Sequence, residues 1–211
     1  MKFANIFDNP QLYKLFQSAL ISTGSKLRIR NEVIKPIGVN RVLDFGCGIG
    51  NLSEDFRNAD YLGIEPLPSC VDKANRLYKT PRTNFIVGDH SYLNSIPDSS
   101  FDLVIAIGVL HHIDDHIFSE FVREAERILT PGGRLTTFDP VFHANQSKLS
   151  RWVVSRDRGV WVRSVDDYLQ PIRAVFSSTI NFKIYSGLLR IPYDHLWIEL
   201  KKHSGAVDLR L

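Results

Sequence analysis

A short apolar run, Arg41-Val42-Leu43-Asp44-Phe45, carries a carboxylate near its end and passes at once into three glycines at alternate positions, Gly46, Gly48 and Gly50. No other stretch limits the fold as strongly. A run of this length reads as a buried strand, and glycines placed directly after it let the chain turn sharply into a helix while leaving room for a ligand against the backbone. The stretch is thus a ligand cradle. The alternative is a turn that only packs strand on helix.

From Arg41 onward, short apolar runs alternate with amphipathic segments, the pattern of a parallel sheet covered by helices on both faces. Strands are expected near 41–45, 60–65, 83–88, 101–107 and 133–139. Val71, Ala74, Leu77 and Tyr78 mark one helical stripe, and Phe118, Phe121, Val122, Ala125, Ile128 and Leu129 a longer one, with Asp114 or Asp115 as its cap. Two helices are expected before the first strand, one along Leu12, Leu15, Phe16, Ala19 and Leu20, the other from about Ser25 towards Pro36. After Asp139 a loop-and-helix segment reaches about Tyr168. Alternation at Ile180, Phe182 and Ile184, and again at Leu196, Ile198 and Leu200, then gives two strands that can pair antiparallel. At 211 residues the chain suits one domain, 1–211, with an N-terminal helical cap (1–38), a core (39–139), a substrate cap (140–173) and a closing strand pair with its tail (174–211).

Dinucleotide folds space their glycines G-x-G-x-x-G. Here the third glycine comes one residue sooner, and Asp44 would repel a phosphate but favour a cationic group. The sequence D-x-G-x-G-x-G resembles the first motif of the class I S-adenosylmethionine-dependent methyltransferases. Two further stretches resemble the small-molecule branch of that family: Phe101-Asp102-Leu103-Val104-Ile105-Ala106-Ile107-Gly108-Val109-Leu110-His111-His112, and Leu129-Thr130-Pro131-Gly132-Gly133-Arg134-Leu135. The resemblance spans about residues 40–139. It implies a Rossmann-like, doubly wound sheet of seven strands, mostly parallel with an antiparallel C-terminal pair, and S-adenosyl-L-methionine as cofactor.

Glu65 closes the second expected strand about twenty residues beyond the turn, where an acid accepts from both ribose hydroxyls. The resemblance adds Asp89 as acceptor for the adenine amino group, the His90 backbone beside the ring, and Ile107 and Gly108 along the methionine arm. Cys47, Asn51 and Pro66 complete the cofactor set with Asp44, Gly46, Gly48 and Gly50. A dehydrogenase using NAD is the weaker rival, and a cofactor-binding scaffold that transfers nothing is a second alternative.

His111 and His112 follow the fourth strand at the mouth of the sheet. Either takes a proton from an acceptor hydroxyl or amine, or both cap and pack. Methyl transfer asks mainly for positioning, because the sulfonium is already an excellent leaving group. Between Pro140 and Arg190 the sequence is basic: Lys148, Arg151, Arg156, Arg158, Arg163, Arg173, Lys183 and Arg190 face Asp157, Asp166 and Asp167. Arg158, Arg163 and Trp161 are the candidates for an anionic small-molecule acceptor, such as a nucleotide-linked sugar or another phosphorylated or carboxylated intermediate. The competing reading is exposed arginines paired with nearby aspartates.

The formal charge of +3 is too small to argue for nucleic acid, and two cysteines without metal spacing read as free thiols in a reducing cytoplasm, with no metal site. The start of the chain lacks a secretory pattern, and the longest apolar run, Leu103 to Leu110, is too short to cross a bilayer.

Overall fold

Strand β1 (Arg41–Phe45) is buried from Val42 onward, and its side chains feed two cores at once. Leu43 and Phe45 join Phe118, Phe121, Val122 and Ala125 on one face of the sheet, while Val42 joins Val33, Ile34, Phe56, Tyr61 and Ala74 on the other. Alternate side chains of a strand point to opposite faces, so only a strand apolar on both sides can hold this central position. The structure, a computed structural model, describes residues 22–157 and 159–203.

β1 runs parallel to β2 (Asp60–Glu65) on one side and to β4 (Phe101–Ile107) on the other. The full order is β3 (Thr83–Val87), β2, β1, β4, β5 (Leu129–Phe142), β8 (His195–Lys201), β7 (Ile180–Tyr185). β8 is antiparallel to both β5 and β7. The chain leaves β1 for β2 and later returns to β4 on the opposite side, so the connections after β1 and β4 diverge and open a crevice at the carboxyl edge.

Seven strands are expected and the sheet has eight. β5 runs three residues past its expected end, to Phe142, and a two-residue strand β6 (Arg163–Ser164) pairs parallel with Val141 and Phe142. So short a strand has no periodicity to read. Its place is fixed by long-range bonds of Arg163.

Helix α1 (Thr23–Arg28) continues as a π-helical turn over Ile29–Ile34 and stops at Lys35, whose backbone is left-handed (φ 48°). The helix expected along Leu12 to Leu20 lies outside the described residues. α2 (Pro68–Tyr78) buries Val71 and Ala74 but exposes Leu77, so its apolar stripe is narrower than expected. α3 (Asp115–Ile128) buries five residues, and Asp114 caps it by accepting from the Ile117 amide at 2.8 Å. α4 (Lys148–Val154) and α5 (Val165–Val175) belong to the segment that folds over the carboxyl edge. Among the described residues no helix is long and apolar enough to cross a membrane.

Candidate active site

The glycine turn is tied to the neighbouring strand by its own backbone: the amides of Gly46 and Cys47 both donate to the Ile64 carbonyl, at 2.8 and 3.0 Å. The helix into which the chain then turns is a short 3-10 helix, Asn51–Phe56. The three glycines do different jobs. A Cβ on Gly46 (φ 74°) would stand 2.4 Å from a methyl of Val109, and one on Gly50 (φ 80°) would stand 2.7 Å from the Phe85 ring, so packing as well as a left-handed backbone requires glycine at both. Gly48 (φ 54°), like Gly108 at the end of β4 (φ 70°), has nothing within 4 Å of the Cβ position. The space beside these two is where a ligand can lie.

Glu65 ends β2 beside that space and is nearly buried. Its Oε2 accepts from the Gly48 amide and its Oε1 from the Leu67 amide, both at 3.1 Å. Burial raises its pKa against the lowering effect of those two amides. Each oxygen keeps a second lone pair, so the carboxylate can still take two vicinal hydroxyls. Asp89 is exposed and uses one oxygen, Oδ1, to accept from the amide and hydroxyl of Ser91, at 2.9 and 2.7 Å. It therefore caps a helical turn and still offers its other oxygen outward. Open space at Gly48 and Gly108, a two-oxygen acceptor at Glu65 and a free acceptor at Asp89 together fit an adenosine carrying an amino-acid arm.

Asp44 differs from the expectation of an open carboxylate waiting for a cation. It is buried, the Tyr61 hydroxyl donates to it, and burial lifts its pKa to about 7, with Glu65 adding to the lift and Tyr61 opposing it. Asn51 is turned to Tyr78, whose hydroxyl donates to its Oδ1 at 2.9 Å. Cys47 packs its thiol over Gly63, and burial pushes its pKa up, away from the reactive thiolate. Pro66 is exposed beside Glu65, Ile107 is half-buried, and His90 stands 3.5 Å from Glu120.

His111 and Asp139 form the buried centre of the site. The His111 Nδ1 lies 2.8 Å from Oδ1 of Asp139, which also accepts from the His111 amide at 3.3 Å. On the other side of the ring, Nε2 stands 3.4 Å from Oδ1 of Asp157. Asp157 is held in turn by the Gly159 amide, at 2.6 Å, and by the Tyr193 hydroxyl. Gly159 lies so close that a Cβ there would meet the imidazole at 2.0 Å. His112 is exposed, and its ring rests on that of His111 with centroids 4.0 Å apart. His195, opposite Pro140 in the β5–β8 pair, stacks on Phe138, and burial lowers its pKa to about 4 against the opposing charge of Asp139.

Arg163 is not available to an acceptor, contrary to the sequence expectation. Its Nε donates to Asp115 at 2.7 Å, Nη1 to the carbonyls of Leu110 and Trp161, and Nη2 to that of Ile113. The guanidinium also lies over the Phe118 and Tyr168 rings. It is a buried staple that fastens the cap to the turn carrying His111. Trp161 is 41% exposed and lines a cleft of about 950 Å³ bordered by the cap, α3 and the end of β5. Arg158 lies outside the described residues, although Asp157 and Gly159 on either side of it both touch His111. Asp139, Asp157 and Tyr193 were not singled out by sequence. Asp139 had a usable signal, an acid closing an apolar strand, as Glu65 does; the other two are brought in by the fold.

The comparisons agree with this geometry. The sequence profile described as "Methyltransferase domain" matches residues 43–137. Phthiotriol/phenolphthiotriol dimycocerosates methyltransferase 1 of Mycobacterium ulcerans is 32% identical over 152 residues, 70% of this chain and 50% of that protein. An uncharacterized methyltransferase of Oceanobacillus iheyensis is 23% identical over 176 residues, 81% of this chain and 80% of its own length. Among solved structures, a SAM-dependent methyltransferase from Archaeoglobus fulgidus superposes with a TM-score of 0.67 at 16% identity, over 84% of this chain and 92% of the other. The chain spans half the length of the first of these relatives and four-fifths of the second.

Proposed function

We propose that this chain, which belongs to the class I S-adenosylmethionine-dependent methyltransferases, methylates a hydroxyl or amine of a small-molecule acceptor held between the Gly48–Gly108 crevice and the cap. The His111–Asp139 pair is the observation that carries this reading. Bound S-adenosylmethionine supplies an electrophilic methyl carbon and leaves as a neutral thioether. Glu65 holds the ribose hydroxyls, Asp89 the adenine amino group, and the open faces of Gly48 and Gly108 border the amino-acid arm. Asp139 accepts from His111 Nδ1 and so fixes the tautomer whose Nε2 can take the acceptor's proton as the new bond to carbon forms. Asp157 stands where the acceptor's hydroxyl would meet Nε2, and an entering acceptor displaces it.

Arg158 is the remaining basic candidate for an anionic group on the acceptor, since its chain neighbours both border His111. The relative from Mycobacterium ulcerans, named for phthiotriol and phenolphthiotriol dimycocerosates, supports a small molecule as substrate. The test is release of S-adenosylhomocysteine across acceptor pools, with turnover expected in a pool of hydroxylated or aminated metabolites.

One observation favours a second reading. Asp157 and Gly159 cover the His111 ring, as a cofactor-binding scaffold without turnover would also allow. Tight S-adenosylhomocysteine binding with no turnover in any pool would select that reading.

A further inference from the structure

Helix α4 buries Ser150 and Val154 and turns Leu149 and Trp152 outward, 60% and 54% exposed. A helix in water normally does the reverse with a leucine and a tryptophan. The same outward surface carries Lys148, Arg151 and Arg156, and among the described residues none of the three has an ion-pair partner. Arg156 instead lies over the Trp152 ring, 4.0 Å from its centroid, and Arg151 lies over Phe142. Further along the cap, Val160 and Trp161 are exposed as well, at 81% and 41%, and share the rim of the cleft with Arg151.

We propose that this face of the cap docks on the surface of an anionic lipid bilayer. Apolar and aromatic side chains interleaved with cations are what an interfacial helix needs: leucine and tryptophan enter the boundary between headgroups and acyl chains, while lysine and arginine meet the lipid phosphates. Charge decides the occupant. A neutral apolar partner would leave three cations facing it unpaired, and a nucleic acid would leave Leu149, Trp152 and Val160 without partners. An anionic membrane satisfies both sets.

The test uses the whole chain with vesicles of phosphatidylcholine alone and of phosphatidylcholine mixed with phosphatidylglycerol, read by co-sedimentation and by tryptophan emission. Trp152 and Trp161 are exposed reporters, whereas Trp197 is buried in the sheet. Binding and a blue shift are expected with the mixed vesicles and should weaken as salt rises. Lys148→Gln and Arg151→Gln should each weaken binding about fivefold, and Leu149→Ser with Trp152→Ser should remove it. Phe182→Ser, an exposed aromatic change on β7, should leave it intact. The proposal is overturned by absence of binding to mixed vesicles, by binding that survives the Leu149/Trp152 change, or by duplex DNA binding as tightly to that double variant as to the wild type. Vesicle binding involves no turnover, so its failure leaves the methyl-transfer reading untouched.

Discussion

Nδ1 of His111 stands 2.8 Å from Oδ1 of Asp139, although the two are 28 residues apart in the chain. They meet because β4 and β5 are parallel neighbours: Phe138 pairs with Ile107, the last residue of β4, so Asp139 stands one step further along β5, beside the turn that carries His111. If the pair handles the acceptor's proton, His111→Ala should lower kcat by about 10²–10⁴-fold. Asp139→Asn should also lower it, because an amide no longer holds the imidazole in a single tautomer, while S-adenosylhomocysteine affinity by calorimetry stays near wild type. An unaltered pH profile in His111→Ala would return the residue to packing and leave orientation as the source of rate.

The glycines separate binding from folding. Gly48→Val should lose cofactor binding, since its side chain enters the open space, and should lose only about 1–2 kcal/mol of stability to the left-handed backbone. Gly46→Ala should instead lower the melting temperature, because its Cβ would strike Val109. Glu65→Ala should weaken cofactor binding by roughly 1.5–3 kcal/mol for each charge-assisted bond lost. A Gly48→Val protein with normal calorimetric affinity would place the ligand elsewhere.

Asp44 makes a prediction in pH. With its pKa raised from 3.8 to about 7, the folded protein keeps a proton that the unfolded chain has already released between those values. Stability contributed by this group therefore falls as pH rises through that window, by about 4 kcal/mol in total. Asp44→Asn still accepts from Tyr61 and has no such dependence. Its denaturant midpoint relative to wild type should rise between about pH 5 and about pH 8. A constant difference across that range would show that Asp44 ionises normally.

Arg163→Ala should destabilise the protein by roughly 2–4 kcal/mol, since it removes several charge-assisted bonds from a buried site. Thermal unfolding measures this directly. A raised acceptor KM with unchanged stability would instead return Arg163 to acceptor binding.

The sequence by itself determined the order of the longer strands and helices from β1 onward, the glycine turn after β1 and the long buried stripe of α3. Those features are written in local patterns: period-two and helical apolar spacing, a capping aspartate, glycines after a strand. They do not depend on which distant residue arrives beside them. Gly46, Gly48 and Gly50 look alike in the chain, and only the approach of Val109 and Phe85 makes two of them packing positions. Asp44 reads as an open acid until Tyr61 reaches it from the next strand. Arg163 reads as a free cation until the carbonyls of Leu110 and Ile113, some fifty residues earlier, take its donors and create the short β6. A charged side chain's role depends on its burial and its partners. Both are properties of contacts between segments far apart in sequence, so tertiary structure alone could assign them.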